Sequence, residues 1–412
     1  MELIDRPQYM DWLERWKDKD VIKVVSGVRR CGKSTTLGMF RERLLQNGID
    51  ARCIQAMNFE NVEYEPLTQH RALYDFIKER LVEGQMNYVF LDEIQHVSQF
   101  ERVIDSLHIL GNCDVYVTGS NAYLMSSELA TLLSGRYVEL RMLPLSFGEF
   151  SQGIARMHPE HTMEQQYEQY ARNGSFPYTV ALSETEKNVR EYLRDVYNSI
   201  LLKDVVERLK IADATTLENI AKFLAGNVGS LISTRKIANT IRSTGKGVDQ
   251  KTVDKYLRGL TDSLLFYEIP RWDVKGKEVL ARLSKFYLVD MGLRANLVKS
   301  SSGDIGRILE NLVYLELVRR GYDVFVGQLG DKEIDFVAVN GNDVRYYQVA
   351  ASTLDPATME RELDPLRRIP DSYPKFLITL DTLFKTDYIE GIRKINAIDW
   401  MLDEAEEHRE LN

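Results

Sequence analysis

Residues Gly27 to Ser34 read G-V-R-R-C-G-K-S and match the phosphate-binding pattern G-x-x-x-x-G-K-[ST]. The apolar run before them, residues 21–25, predicts a buried strand, and residues Lys33 to Leu45 predict a helix with an apolar side. A strand, a loop bounded by two glycines and a helix N-terminus together direct several backbone N–H groups at one anion. We therefore predict a nucleotide-phosphate site at this loop.

Each position of the loop has an expected role. Gly27 and Gly32 permit a tight turn and a close approach of the backbone to phosphate. Lys33 is expected to reach the β- and γ-phosphates, and the Ser34 hydroxyl to ligate Mg²⁺. The other residues expected to line the nucleotide are Val28, Arg29, Arg30, Cys31 and Thr35.

A second motif lies where an apolar run, residues 88–91, ends in Asp92 and Glu93. Asp92 is placed to hold Mg²⁺ through water, and Glu93 to polarise the attacking water as a general base. An acidic pair is ordinarily a solvated turn, but this one ends an apolar strand downstream of a phosphate loop. No N-K-x-D motif that would specify guanine is evident, so the two motifs together predict a site for ATP and Mg²⁺.

Three further polar residues are candidates for contact with the transferred phosphate. Ser120 and Asn121 follow another strand-like run, where either side chain would sense the γ-phosphate or orient water. Arg136 precedes the strand-like segment Tyr137–Arg141. An arginine there would stabilise the transferring phosphate, within the chain or across a subunit interface. The alternative for Arg136 is a surface arginine on a turn.

Length and composition limit the class of protein. The chain has 412 residues, which suits two or three domains, and 44% hydrophobic residues, which is ordinary for a globular protein. The three cysteines fit no zinc spacing and cannot all pair, so we expect a cytoplasmic location. No apolar run approaches membrane-spanning length. Residues 1–6 carry two acids and no apolar segment, so we expect no signal peptide. We accordingly expect no membrane among the partners of the chain.

Charge is unevenly distributed along the chain. The formal net charge of -9 argues against indiscriminate binding of nucleic acid. Residues 235–285, however, contain 12 basic against 6 acidic side chains. A basic module on an acidic chain suggests one face for an acidic partner.

Alternating strand and helix patterns over residues 21–143 predict an α/β fold with a parallel five-stranded sheet and helices on both faces. The predicted strands are Val21–Ser26, Arg52–Met57, Tyr88–Asp92, Asp114–Thr118 and Tyr137–Arg141. We divide the chain into an ATPase core (1–145), a helical lid or linker (146–212), a winged-helix-like module (213–300) and a nuclease-like α/β domain (301–412).

The third segment is typical of a winged helix, because three helical patterns precede two strand-like ones. The predicted helices are Thr216–Ala225, Thr234–Ser243 and Gln250–Ser263, and the predicted strands are Leu264–Arg271 and Lys285–Asp290. The third helix would present Lys251, Lys255 and Arg258 to the major groove of DNA, with Lys275 and Lys277 on the wing. The alternative is a module that only packs against its neighbours, with lysines that solvate it.

The last segment has part of the PD-(D/E)XK nuclease pattern. Glu310 on a predicted helix and Asp335 on a predicted strand are in place as Mg²⁺ ligands. The next strand reads Gln348-Val349-Ala350, where a carboxylate and a lysine are needed. We therefore expect a nuclease fold without its chemistry, unless a side chain from elsewhere in the domain replaces the lysine.

The phosphate loop and four further segments carry a resemblance to prokaryotic AAA-type (AAA+) P-loop ATP-binding proteins with an uncharacterised C-terminal domain that has winged-helix and nuclease-like parts. The four segments are Leu91-Asp92-Glu93-Ile94-Gln95, Thr118-Gly119-Ser120-Asn121, Ser134-Gly135-Arg136-Tyr137 and Leu145-Ser146-Phe147. The resemblance implies an AAA-like core, binding of Mg-ATP, Ser120 or Asn121 as sensor 1, Arg136 as an arginine-finger candidate, and residues 174–177 as part of a helical lid.

Three functions remain as hypotheses from the sequence. The first is an ATPase whose nucleotide cycle moves the helical lid and the C-terminal module, with DNA, a protein partner or a second copy of the chain as candidate partners. The second is a nucleotide-gated switch or DNA-binding regulator with little turnover, as in AAA-like STAND proteins. The third is an ATP-dependent nuclease in host defence.

Overall fold

The computed structural model describes residues 3–119, 135–243, 247–299, 302–383 and 385–403. The chain forms two compact units that divide after Pro144, with the short segment 262–264 grouped with the first unit. This division falls one residue before the end of the ATPase core predicted from the sequence. Each unit has its own sheet.

The first unit is built on a five-stranded sheet. Its strands are β1 (Ile22–Gly27), β2 (Ile54–Asn58), β3 (Asn87–Asp92), β4 (Cys113–Gly119) and β5 (Tyr137–Met142). The order is β2-β3-β4-β1-β5, and every neighbouring pair is parallel. The predicted parallel five-stranded sheet is thereby confirmed.

Helices cover both faces of this sheet. They are α1 (Pro7–Trp16), α2 (Lys33–Gln46), α3 (His70–Lys78) and α4 (Phe100–Ile109), with 3₁₀ turns at Ala51–Cys53, Val62–Leu67 and Ile94–His96. On one face, side chains of α3 and α4 pack with alternate residues of β3 and β4 in one apolar cluster. On the other face Phe40 of α2 packs against Phe90 and Tyr116, whose rings stack at 4.7 Å. Central parallel strands buried on both faces explain the continuous apolar runs in the sequence.

The strand register brings several carboxyl ends to one edge of the sheet. Ser26 of β1 is paired with Gly119 of β4, and Asn58 of β2 with Asp92 of β3. The loops after these ends meet above the same edge, which is where ligands bind in open parallel sheets.

The other helices of the described residues lie in the second unit, apart from Asp262 at the end of one helix, which is grouped with the first unit. They are α5 (Phe147–Met157), α6 (Met163–Asn173), α7 (Pro177–Ala181), α8 (Glu186–Ser199), α9 (Ala214–Gly226), α10 (Thr234–Ser243), α11 (Gln250–Asp262), α12 (Met291–Leu297), α13 (Ile305–Arg319), α14 (Pro356–Arg367) and α15 (Ala397–Leu402). Helix α8 continues as a π-helical segment, Ile200–Glu207, and Ser302–Asp304 forms a 3₁₀ turn. Both α5 and α6 begin with a capping box, which fixes where the chain enters each helix.

An eight-stranded sheet organises this unit. Its strands are β6 (Phe266–Asp273), β7 (Glu278–Leu288), β8 (Asp323–Leu329), β9 (Lys332–Asn340), β10 (Asp343–Ala350), β11 (Lys375–Thr379), β12 (Thr386–Ile389) and β13 (Ile392–Asn396). Their order is β12-β13-β11-β10-β9-β8-β6-β7. The hairpin β6–β7, predicted as the wing of a separate module, thus extends the sheet of the C-terminal strands through its pairing with β8. The predicted boundary at 300/301 therefore does not separate two sheets.

Within the described ranges, no helix is both long and apolar enough to cross a membrane.

Candidate nucleotide-binding site

The phosphate loop connects the end of β1 to the start of α2. A Cβ at Gly27 would lie 2.5 Å from the carbonyl oxygen of Met142 and 2.8 Å from Cys31 Sγ, so only glycine fits. Gly32, the N-cap of α2, has φ 107°, which also favours glycine. Backbone N–H groups in the first turn of α2 have no acceptor within the helix, and the helix dipole adds positive potential there. The loop therefore has the local structure of an anion site.

The Lys33 side chain is buried within this loop. Its Nζ donates to the carbonyl oxygens of Gly27 at 2.9 Å and of Val28 at 3.4 Å. The same ammonium lies 3.8 Å from Glu93 Oε1. The structure thus brings together the lysine of the first sequence motif and the glutamate of the second.

The two arginines of the loop have different surroundings. Arg29 is buried, and its NH1 donates to Glu60 Oε1 at 2.7 Å. Arg30 is exposed and has φ 69°. A residue with a Cβ is strained in that conformation by about 1–2 kcal/mol, and such strain is common at functional sites. Arg29 therefore ties the loop to the segment after β2, whereas Arg30 is its exposed cation.

The other predicted loop residues are divided between the interior and the surface. Val28 and Cys31 are buried, and the Cys31 carbonyl accepts a hydrogen bond from Arg6 NH1 at 3.1 Å. Ser34 and Thr35 are exposed in the first turn of α2. Their hydroxyl groups are thus on the solvent side of the loop.

The two carboxylates after β3 are held by neighbouring strands. Asp92 Oδ1 accepts a short hydrogen bond from Thr118 Oγ1, and Asp92 Oδ2 accepts one from Asn58 Nδ2 at 2.7 Å. The Glu93 backbone N–H donates to Thr118 Oγ1 at 3.0 Å. Glu93 has φ 53° and is 6% exposed, and its Oε2 accepts a hydrogen bond from Gln95 Nε2. Hydrogen bonds within the chain therefore orient both side chains without a ligand.

Sequence reasoning missed Asn58, and it quoted Thr118 and Gln95 within motif segments without giving either a role at the site. Each is a small or medium polar residue at the carboxyl end of a strand or in the turn after it. The sequence signal was present, because β2 ends in Asn58 and Thr118 is the second-last residue of β4, but the pairing of Asn58 with Asp92 depends on the strand order. Polar ends of neighbouring strands are the general signal that would have found them.

Ser34 and Asp92 are the predicted Mg²⁺ ligands, and the residues present fit this ion. A hydroxyl and a carboxylate are oxygen donors of the kind that Mg²⁺ prefers. Both Asp92 oxygens already accept hydrogen bonds. This arrangement suits a carboxylate that holds the ion through water rather than directly.

The other predicted contact residues have different positions. Ser120 and Asn121 lie outside the described residues. Arg136 lies at the opposite edge of the sheet, where its carbonyl oxygen accepts a hydrogen bond from the N–H of Ile22 at 2.8 Å. Strand β1 has 6 residues, from Ile22 to Gly27 at the start of the phosphate loop, and its five steps of ~3.3 Å per residue span roughly 16.5 Å. The Arg136 guanidinium pairs with Asp105 at 2.6 Å. This position argues against contact with a nucleotide in the same chain, and contact across a subunit interface stays a prediction.

The predicted DNA-contacting residues lie on α11. Lys251, Lys255 and Arg258 are all exposed, whereas Val253, Tyr256, Leu257 and Leu260 of the same helix are buried. In the described part of the chain, none of the three cations makes an ion pair. Of the predicted wing residues, Lys277 lies over the ring of Tyr373 at 5.7 Å. The exposed face of α11 therefore presents three cations to solvent, and Lys275 and Lys277 are exposed as well.

A second cluster of charged side chains lies in the eight-stranded sheet. Lys285 of β7 is 1% exposed, and its Nζ lies 2.8 Å from Glu310 Oε1, 2.8 Å from Glu333 Oε1 and 3.5 Å from Asp335 Oδ1. Tyr287 donates to Glu310 Oε1 at 2.6 Å. Glu310 and Asp335, the two acids predicted from the nuclease pattern, are thus both in contact with Lys285, which the sequence analysis did not single out.

Burial and mutual repulsion set the charges of this cluster. Burial, followed by the charge of Glu310, raises the pKa of Asp335 to about 7, although Lys285 opposes the shift. Burial by itself would lower the pKa of Lys285, but the three carboxylates outweigh it and hold that pKa above its ordinary value. Gln348, which replaces the expected carboxylate, donates to Glu362 Oε2 at 2.9 Å. The ammonium of Lys285 is therefore the cation that offsets part of the negative charge of this centre.

Two segments of the chain match known protein families. Residues 19–151 match the family described as an AAA domain, and residues 164–304 match a domain of unknown function, DUF8612. The first match contains the whole phosphate loop and all five strands of the first sheet. It supports an AAA+ ATPase for this part of the chain.

Similar proteins and structures extend over most of the chain. An uncharacterized protein of Methanocaldococcus jannaschii is 27% identical over 92% of this chain and 85% of its own length. A Walker-type ATPase of Pyrococcus abyssi has 16% identity and a TM-score of 0.47, covering 72% of this chain and 96% of that one. AMPPCP-bound DnaA of Aquifex aeolicus has 14% identity and a TM-score of 0.33, covering 62% and 87%. An uncharacterized protein of Haemophilus influenzae is 39% identical over 97% of this chain and 99% of its own length. The chain therefore belongs to the same protein family as this Haemophilus influenzae relative and carries an AAA domain over residues 19–151.

Proposed function

We propose that this protein binds Mg-ATP at the phosphate loop, hydrolyses it to ADP, and uses the cycle to change the conformation of its C-terminal part. The observation that carries the proposal is the meeting of Lys33 and Glu93, whose Nζ and Oε1 are 3.8 Å apart at the carboxyl edge of a parallel sheet. Such a meeting of a loop lysine and a strand-end glutamate suits phosphoryl transfer to water.

The chemistry assigns each side chain a separate task. Lys33 and the N–H groups of the loop bind the phosphates, and Ser34 and Asp92 hold Mg²⁺, which neutralises charge on the phosphates when bound. Glu93 orients water and accepts its proton. Gln95, which donates to Glu93 Oε2, restricts this carboxylate to one orientation. Lys33 must exchange its contact with Gly27 O for a phosphate oxygen when nucleotide binds.

The partners of the cycle are proposed from charge and exposure. The face of α11 with Lys251, Lys255 and Arg258 is proposed to contact DNA phosphates, because its cations are exposed on an otherwise acidic chain. Arg136 is proposed to complete the site of a second copy in a homo-oligomer, since it lies far from its own loop. A cytoplasmic location is proposed from three free, buried cysteines.

The test is Mg²⁺-dependent phosphate release by the purified chain. We expect Lys33→Ala to abolish nucleotide binding and release together, and Glu93→Gln to retain ATP without releasing phosphate. Normal hydrolysis by Glu93→Gln would show that another group accepts the proton.

A nucleotide-gated switch with little turnover is the second candidate. It is favoured by the contacts of Glu93, whose carboxylate is close to both Gln95 and Lys33 and whose backbone is in the left-handed region. A carboxylate that is occupied by these contacts is less available to accept a proton from water. Slow hydrolysis and long retention of nucleotide would follow. Nucleotide that copurifies with the chain and turns over less than once per hour would favour this candidate.

An ATP-dependent nuclease is the third candidate, and the observation for it is Lys285. This lysine contacts Glu310 and Asp335 from β7, so the two acids have a lysine beside them although Ala350 stands where the nuclease pattern has one. Plasmid cleavage that needs ATP and disappears in Asp335→Ala would establish it. Intact plasmid after incubation with Mg²⁺ or Mn²⁺ and ATP would remove it.

A further inference from the structure

The turn between α5 and α6 brings three metal-binding groups together. His158, Glu160 and His161 each direct one ligand atom into the same space, and these atoms all lie within 4.8 Å of one another. His158 Nδ1 is 3.5 Å from Glu160 Oε1, and His161 Nε2 is 3.6 Å from the same oxygen. The two imidazole rings stack at 4.8 Å with an interplanar angle of 10°. None of these residues belongs to the nucleotide site or to the Lys285 centre.

The distances are those between neighbouring ligands of a tetrahedral metal ion. With bonds of about 2.0–2.2 Å from Zn²⁺ to nitrogen or oxygen, the edges of a tetrahedron are about 3.3–3.6 Å. The measured separations of 3.5 and 3.6 Å fall within this range. The third pair, one nitrogen of each imidazole, lies within 4.8 Å, and an ion in the plane of both rings requires the nearly parallel rings to turn about their side-chain torsions. An ion can therefore be bound after rotation of these side chains, without a large movement of the backbone.

The backbone of the turn is fixed on both sides. The N–H of His158 donates to Ile154 O at 2.7 Å, and the N–H of His161 donates to His158 O at 3.1 Å. The carbonyl oxygen of His161 accepts a hydrogen bond from Gln166 Nε2 at 3.1 Å. Thr162 then begins α6 with a capping box. These hydrogen bonds fix the backbone that carries the three ligands before a metal binds, which lowers the backbone entropy lost on binding.

One ligand also has a partner that orients its ring. His158 Nε2 lies 3.2 Å from Ser183 Oγ, so its Nδ1 is the nitrogen that faces Glu160. Metal-binding histidines commonly use their second nitrogen in this way, which fixes the tautomer and the ring orientation. A hydrogen bond from its own backbone N–H, together with the two imidazoles, lowers the pKa of Glu160 and so favours its ionised form.

We propose that His158, Glu160 and His161 form a binding site for a first-row transition-metal dication of the Zn²⁺ class. Two imidazoles and one carboxylate suit Zn²⁺, Ni²⁺, Cu²⁺ or Fe²⁺, whereas Mg²⁺ and Ca²⁺ prefer oxygen ligands alone. Three protein ligands leave one position of a tetrahedron for water or another group. The bound ion joins the end of α5 to the start of α6 within the second unit.

The experiment is a titration of the full, metal-free chain with Zn²⁺ against a chromophoric competitor, in millimolar Mg²⁺ so that sites with oxygen ligands are filled. We expect the wild type to bind one Zn²⁺ per chain. In His158→Ala and in His161→Ala this binding should be lost, or its affinity should fall at least about tenfold. His70→Ala is the matched control and should keep it. Visible absorption of the Co²⁺-loaded chain should show tetrahedral coordination.

Two outcomes would overturn the proposal. One is equal Zn²⁺ affinity in the wild type, His158→Ala and His161→Ala, which would assign the three residues to ordinary surface ion pairs. The other is an octahedral Co²⁺ spectrum that Glu160→Gln does not change. Far-UV circular dichroism of each variant separates loss of the site from loss of the fold, and Glu160→Gln tests the site with little change of side-chain size.

Discussion

Replacement of Lys285 by methionine should destabilise the second unit strongly. Lys285→Met keeps an unbranched side chain of similar length but removes the ammonium that lies within 2.8 Å of both Glu310 and Glu333 and 3.5 Å from Asp335. The side chain of Glu333 is 42% exposed, so its part of the loss is screened by water. Glu310 and Asp335 are mostly buried. Removing one partner of a buried ion pair costs about 3–5 kcal/mol.

The assay is thermal unfolding at several pH values. For a unit of this size, about 2–4 °C of melting temperature is lost per kcal/mol, so the expected loss is roughly 6–20 °C at pH 8. The pKa of Asp335 is about 7 in the folded protein against an ordinary 3.8. Between these values the folded state binds more protons than the unfolded state, so this group lowers stability as the pH rises. Loss of Lys285 raises that pKa further, and the deficit of Lys285→Met should therefore grow from pH 5 to pH 8.

Two controls make this prediction specific. Lys251→Met removes an exposed lysine of α11 and should change the free energy of unfolding by no more than about 0.5 kcal/mol. Adding Glu310→Gln to Lys285→Met removes one of the unpaired charges and should restore part of the stability. A Lys285→Met variant that melts within 2 °C of the wild type at every pH would refute the proposed neutralising role of this ammonium.

The remaining predictions concern the first unit and the basic helix. Glu93→Gln should lower the rate of phosphate release by about 10²-fold or more while ATP still binds, and equal rates in a coupled assay would contradict this. Arg30→Gly should increase the free energy of unfolding of the first unit by up to about 1 kcal/mol, because glycine adopts φ 69° without strain; chemical denaturation measures this effect. The same change should weaken ATP binding, which calorimetric titration measures. Joint replacement of Lys251, Lys255 and Arg258 by alanine should reduce the slope of log DNA affinity against log salt concentration by about 2–3 in magnitude. An unchanged slope, measured by fluorescence anisotropy, would show that α11 is not the contact surface.

Much of the first unit was predictable because its strands are buried on both faces. The predicted Tyr88–Asp92 and the observed Asn87–Asp92 differ by one residue, and the other strands of this sheet differ by at most two at either end. A parallel central strand is a continuous apolar run, and the glycines and lysine after β1 identify the loop that connects this strand to its helix. The pairing of Lys33 with Glu93 was likewise implied by the two motifs.

The charge centre of the second unit was not predictable in the same way. Lys285 lies in a basic stretch of sequence, and lysine in a strand ordinarily faces solvent. Its partner Glu310 is 25 residues away on a helix, and Glu333 and Asp335 are on a different strand. The pairing of β6 with β8 and the contacts of α13 with β7 bring the hairpin beside those carboxylates, and no local pattern encodes either contact.

The distance of Arg136 from the phosphate loop likewise depends on how strands pair and not on a local sequence pattern. Its place before a strand was evident from the sequence, but the edge of the sheet at which it lies depends on β5 being parallel to β1. Parallel strands begin at the same edge, so a residue that precedes β5 is distant from a loop that comes after β1.

The most direct test of ATP binding and turnover is Mg²⁺-dependent hydrolysis by the wild type and Lys33→Ala, with and without duplex and single-stranded DNA. We predict phosphate release by the wild type that requires Mg²⁺, that DNA accelerates, and that Lys33→Ala abolishes. Release that DNA leaves unchanged would favour the switch with little turnover and a protein partner. Equal release by Lys33→Ala and the wild type would contradict the central claim that this loop binds the phosphates of ATP.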